Sequence, residues 1–295
     1  MRFIVREMRS IAYSLRHHDS HSSPRTNFSG TSAASENSEG IFDSGIAQLQ
    51  KKDVDGAITD LSRAIDLNPR YVEAFFIRGQ CLFLKRDLDK ALSDYDKVIA
   101  LAPRAGGVER VYNTRSVIQV LKGDLEKAFK DVEQAIALNP NYADAYSNRG
   151  LIRSFRNDQA GAASDYEKSI ALDSKSPATY INRGILFFES GNLARAATDF
   201  NRAVELAPNT AKPYVDLGVL HTLNGEVDLA VTHLKKAYSL DPTSFVETSS
   251  GLMSSPFKRL QSFITSNPAN ARAYEARGLL RLAQGRKAEA KEDFA

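Results

Sequence analysis

INRGILFFE, residues 181–189, and SNRGLIRSF, residues 147–155, lie 34 residues apart and match in register. Alone, either stretch reads as an apolar helix spoiled in its middle. Glycine inside a helix costs about 1 kcal/mol relative to alanine, and an arginine among Ile, Leu and Phe is out of place in a core. Recurrence changes that reading. FIRGQCLFL at 76–84 and EARGLLRLA at 275–283 belong to the same series, so the chain is an array of repeats.

A period of 34 places six units at 38–71, 72–105, 109–142, 143–176, 177–210 and 211–244, with Gly106, Gly107 and Val108 interrupting the register. An irregular piece with a shortened first helix follows at 245–270, then a partial unit at 271–295. Each unit reads as two helices. The first ends near a residue suited to a left-handed turn, Gly123, Gly191, Gly225 or Gly285, with Lys52, Arg86 and Asn157 at the same place elsewhere. Asp53, Asp87, Asp124, Asp158 and Asn192 follow as N-caps of the second helix. That helix carries an apolar stripe, as in Ala196, Phe200, Ala203 and Val204, and runs out at a recurrent proline.

Arginine and aspartate also recur together. Arg78, Arg115, Arg149, Arg183 and Arg277 each precede Asp94, Asp131, Asp165, Asp199 and Asp293 by sixteen residues, and the unit at 211 breaks both halves at once with Leu217 and His233. This pattern predicts structural ion pairs within a unit or between neighbours. A glycine twelve residues before a recurrent alanine, as in Gly184 and Ala196, predicts close approach of the two helices.

Composition excludes several classes. The chain has 295 residues, 42% hydrophobic and 25% charged, with a formal charge of +3, so no strong field draws it to nucleic acid. Cys81, the only cysteine, lies in an apolar run and reads as a buried thiol. No phosphate-binding loop or Cys/His/Asp constellation appears, so neither catalysis nor a metal or other cofactor is expected. No apolar window reaches the length of a membrane span, which points to a reducing, aqueous compartment such as the cytoplasm.

The period, the aromatic residues Phe75, Tyr112, Tyr146, Tyr180, Tyr214 and Tyr274, the recurrent glycines and alanines and the prolines together resemble the tetratricopeptide repeat family. The resemblance implies an all-α fold, a right-handed superhelical solenoid of antiparallel helix pairs. It implies a non-catalytic scaffold or adaptor that holds a peptide or partner helix in a groove lined by first helices. The candidate groove residues are Phe42, Ile46, Phe76, Gln80, Asn113, Val117, Ser147, Asn148, Leu151, Ile181, Asn182, Ile185, Val215 and Val219. Their character favours a hydrophobic or amphipathic segment; the alternative is burial of the aliphatic ones between neighbouring first helices. Asn148 and Asn182 resemble two rungs of an asparagine ladder found in glycosyltransferase repeat domains, and a repeat module of a larger enzyme is the alternative function. The basic clamp for the carboxylate tails of heat-shock chaperones is not matched, because Phe76, Ile46 and Asp216 occupy its places.

Residues 1–37 differ in kind. Ile4, Met8, Ile11 and Leu15 share a helical face opposite most of Arg2, Arg6, Arg9 and Arg16, and a Ser-rich linker follows. This predicts an amphipathic segment for organelle targeting or peripheral membrane contact, or a disordered tail. His17, His18 and His21 are a weak metal motif.

Overall fold

The computed structural model describes residues 33–242, 254–283 and 285–295. The amphipathic segment and the histidines expected in the first 32 residues lie outside the described residues, as do residues 243–253. Among the described residues every regular element is a helix, and the fold class is the expected all-α repeat solenoid. The chain divides between Phe155 and Arg156 into two compact units.

The first unit holds α1 (Ala33–Gln50), α2 (Val54–Leu67), α3 (Val72–Leu84), α4 (Leu88–Leu101), α5 (Val108–Leu121), α6 (Leu125–Leu138) and α7 (Ala143–Phe155). Helices α1 and α2, α3 and α4, and α5 and α6 pack as hairpins, and each second helix also packs on the next first helix. Helix α1 starts five residues before the expected boundary at 38. Ala33, Ala34 and Glu36 are good helix formers, and Ser38 is buried rather than part of a solvated linker.

The second unit holds α8 (Gln159–Leu172), α9 (Pro177–Glu189), α10 (Leu193–Leu206), α11 (Ala211–Asn224), α12 (Val227–Leu240), α13 (Ser254–Ser266), α14 (Ala271–Ala283) and α15 (Lys287–Phe294). Pairs α9 and α10, α11 and α12, and α14 and α15 repeat the hairpin. Helix α13, in the irregular segment, does not repeat the hairpin. Helix α14 packs directly on α12, as any first helix packs on the preceding second helix, while α13 lies against the first helices α11 and α14. Leu260 and Ile264 of α13 are buried with Val215, Val219, Leu279 and Leu280, which fixes it there.

The turns follow from backbone chemistry. Lys52, Arg86 and Asn157 adopt φ of 68°, 64° and 61°, and Gly123, Gly191, Gly225 and Gly285 take the same left-handed conformation. One residue later the cap closes the next helix: Asp53 accepts from Gly56 N at 2.9 Å, Asp124 from Lys127 N at 3.1 Å and Asn192 from Arg195 N at 3.3 Å. Close approach is real but its partner differs from expectation. A Cβ on Gly184 would stand 2.6 Å from the Phe200 ring and 3.3 Å from Asp199 Cβ, so the tight contact is sixteen residues on, not at Ala196. Cys81 is fully buried, and that burial pushes its thiol up to about 12.

Candidate functional site

The recurrent arginine is the centre of a three-way contact. Arg183 donates from Nε and Nη2 to Asp199 at 2.8 Å each, in parallel bidentate geometry. Arg78 does the same to Asp94 at 2.9 and 2.7 Å, Arg115 to Asp131 at 2.7 and 2.6 Å, and Arg277 Nε meets both Asp293 oxygens at 3.0 Å. The sixteen-residue spacing therefore joins the two helices of one pair. A third bond reaches a neighbouring helix: Arg78 Nη1 to Ser62 Oγ of α2 at 3.0 Å, Arg115 Nη1 to Asp96 of α4 at 2.6 Å and Arg277 Nη1 to Gln261 of α13 at 2.6 Å. Each guanidinium also sits over the ring three residues earlier, Phe75, Tyr112, Tyr180 or Tyr274. Burial raises the pKa of the Asp94 carboxyl even against the opposing pull of Arg78. Arg149 lies over Tyr146 in the first unit, and Asp165 is buried in the second.

These charges are thus committed to holding helices together. Where the sixth pair lacks them, His233 stacks between Tyr214 and His221, with ring centroids 6.2 and 5.0 Å away. Burial holds the His233 pKa below its ordinary value.

The candidate groove residues separate into two groups. Ile46, Phe76, Asn113, Ser147, Val215 and Val219 are buried and present almost no surface to a partner. Ile46 and Phe76 sit in the first unit's main cluster, while Val215 and Val219 are sealed in the cluster α13 forms with α11 and α14. Asn148 Nδ2 donates to Asn113 Oδ1 at 2.8 Å and Asn113 Nδ2 to Tyr142 Oη at 3.3 Å, which ties α7 to α5 rather than offering a ladder. Phe42 is partly covered and its ring lies tilted against that of Tyr71 with centroids 5.0 Å apart. Gln80, Val117 and Leu151 of the first unit, and Ile181, Asn182 and Ile185 of the second, keep partial exposure.

One row of residues escaped the sequence reading. Leu84, Leu121 and Phe155, the last residues of α3, α5 and α7, are 48%, 51% and 56% exposed. Each follows a candidate by four residues, so Gln80 and Leu84, Val117 and Leu121, and Leu151 and Phe155 form pairs on one face of their helices. Gln80 adds a buried Oε1 with no hydrogen-bond partner among the described residues. The missed signal was recurrence at the helix end, where leucine is easily read as core.

No group of His, Cys, Asp and Glu among the described residues is arranged to hold a metal, and no described helix is long and apolar enough to cross a membrane. A tetratricopeptide repeat model matches residues 42–106 and 181–245, and a second model of the same repeat matches 118–153, together more than half of the chain. A search of curated proteins found no match. Among solved structures, a tetratricopeptide repeat protein from Parabacteroides merdae is 21% identical over 88% of this chain and 91% of its own, with a TM-score of 0.60. The pilF protein of Pseudomonas aeruginosa is 18% identical over 80% and 100%, with a TM-score of 0.59. MamA is 25% identical over 60% and 95%, with a TM-score of 0.51. Helix pairs, period, turn geometry and these matches agree, and the chain belongs to the tetratricopeptide repeat family.

Proposed function

We propose that this chain is a non-catalytic scaffold that holds an amphipathic helix of a protein partner across the first helices of its first unit. The contact surface is the three pairs Gln80 and Leu84, Val117 and Leu121, and Leu151 and Phe155. The observation that carries this reading is the exposure of Leu84, Leu121 and Phe155 at one register position of successive first helices. Exposed apolar side chains aligned on one face are the kind of surface that a partner covers.

The second unit supports the choice of a helix as occupant. There α13 rests on α11 and α14 and covers Val215 and Val219, residues at the register positions of Asn113 and Val117. Its apolar positions, Leu260, Phe263 and Ile264, follow the i, i+3, i+4 spacing of a helix in a groove. The chain therefore contains an internal example of what this face accepts. The remaining polar group on this face, Gln80, suits a peptide rather than an anion, and the near-neutral charge disfavours nucleic acid.

The test replaces Leu84, Leu121 and Phe155 together by serine and compares partners recovered by affinity purification from the native host. The fold of the variant is checked by its melting curve. Loss of a partner seen with wild type supports the site; identical partner lists with an intact fold overturn it.

A further inference from the structure

We propose a second binding site on the other face of α5, a cavity that takes one tyrosine side chain of a partner peptide. By helical spacing Arg115, Gln119 and Lys122 lie nearly opposite Val117 and Leu121, so this site is separate from the first-helix face. The cavity, of about 360 Å³, lies among α4, α5 and α6. Leu92, Arg115 and Lys127 line it, with Gln119 among them. Gln119 is only 7% exposed, and its Oε1 has no hydrogen-bond partner among the described residues. A buried amide oxygen left unmatched is costly, and a ligand that supplies a donor there removes that cost.

The repeat itself indicates what belongs in the space. Gln119 holds a register position that other pairs fill from their own chain. Leu82 fills it in the second pair as part of the buried cluster, and Arg153 lies over the Phe129 ring in the next groove. In the fifth pair the residue is Phe187, whose ring lies 5.8 Å from the guanidinium of Arg183 and 5.4 Å from that of Arg195. The equivalents of Arg183 and Arg195 are Arg115 and Lys127, both lining the cavity. A partner's ring between Arg115 and Lys127 takes the place that the Phe187 ring holds between its two arginines.

A phenylalanine ring there would leave Gln119 unmatched. A phenol resolves this whichever way the amide is turned, because its oxygen both donates and accepts. Its hydroxyl stands at the tip of the ring and so reaches the floor, whereas the N–H of an indole lies at the ring's side. Lysine and arginine side chains also donate, but the carboxylates that line the cavity are already paired, Asp96 and Asp131 with Arg115 and Asp124 with Lys127, so a further cation would only add to Arg115, Lys122, Lys127 and Lys130. Lys130 also lines the cavity and presents a cation to an acidic neighbour of the tyrosine.

The probes are p-cresol, toluene and acetyl-Asp-Tyr-Asp-amide, titrated into the full chain while the side-chain amide resonances of glutamine are followed. The site predicts shifts at Gln119 with p-cresol, binding about tenfold tighter than toluene, and tighter binding still for the peptide. Gln119→Phe, which places the Phe187 ring in cis, abolishes binding without lowering the melting temperature. Gln119→Leu is the second variant and removes the preference for p-cresol over toluene. Equal affinity for p-cresol and toluene, or unmoved Gln119 resonances, overturns the site. A peptide that binds more weakly than p-cresol overturns the assignment to a partner's tyrosine.

Discussion

Replacing Arg183 by methionine isolates what the recurrent ion pair does. The variant keeps an apolar stem against Tyr180 and Phe187 but removes both bonds to Asp199, whose side chain is 3% exposed. A carboxylate left buried without its cation costs about 3–5 kcal/mol. Arg183 is itself 19% exposed, so water enters the gap, and about 3 kcal/mol is the expected loss. Adding Asp199→Asn removes the stranded charge while keeping the shape beside Gly184, and the double variant should lose only about 1–2 kcal/mol. An exposed pair would behave otherwise: either single change would cost less than about 1 kcal/mol and the effects would add. Native-state hydrogen exchange of α9 and α10 amides reads this locally, which suits a repeat array whose unfolding is not all-or-none. A loss below 1 kcal/mol for Arg183→Met, or a double variant no more stable than it, would refute a buried bidentate clamp.

Gly184→Ala places a Cβ 2.6 Å from the Phe200 ring, so it should lower the melting temperature by a loss of about 1–3 kcal/mol; Gly123→Ala, where no atom lies within 4 Å but φ is +80°, should cost about 1 kcal/mol from backbone strain alone. Asp216 is 2% exposed and bonded to Lys212 at 2.8 and 3.0 Å, and burial raises its pKa in the fold. The folded state then binds this proton more tightly than the unfolded chain, so the contribution is full below the ordinary carboxylate value and is lost as pH rises through the raised one. Urea unfolding should therefore show wild type gaining on Asp216→Asn as pH falls through that window, and a constant difference would contradict it. His233 has the opposite sign: its lowered pKa means stability is lost as pH falls below the ordinary histidine value, and His233→Phe should remove that loss.

The parts of the fold that each unit specifies locally were legible in the residues. A left-handed turn needs glycine or a tolerant substitute, and the period alone located Lys52, Arg86 and Asn157 at that conformation. The arginine and aspartate spacing identified partners because one helix pair is a fixed frame, and Arg78, Arg115, Arg183 and Arg277 all meet the residue sixteen further on. Exposure was harder to read, since it depends on how near successive first helices lie and on what folds over them. Phe76 and Val117 occupy neighbouring register positions on first helices, yet only the former is sealed in a cluster. Val215 and Val219 are covered by α13, whose return to α11 no local pattern announces. Gln119 carries no local mark in the sequence. Its meaning depends on Leu92 and Lys127 across the groove and on Phe187, 68 residues later, filling the equivalent space.

The central claim, that the exposed first-helix face of the first unit receives an amphipathic helix, is tested most directly by selecting binders from a displayed library of helical peptides. Their affinities are then compared for wild type and for the Leu84, Leu121 and Phe155 triple serine variant. Each of these side chains is about half exposed, so completing its burial contributes about 1 kcal/mol, and the triple variant should bind about a hundredfold more weakly. Selected peptides should carry apolar residues at i, i+3 and i+4, as α13 does at Leu260, Phe263 and Ile264. Unchanged affinity in a folded triple variant would contradict the account.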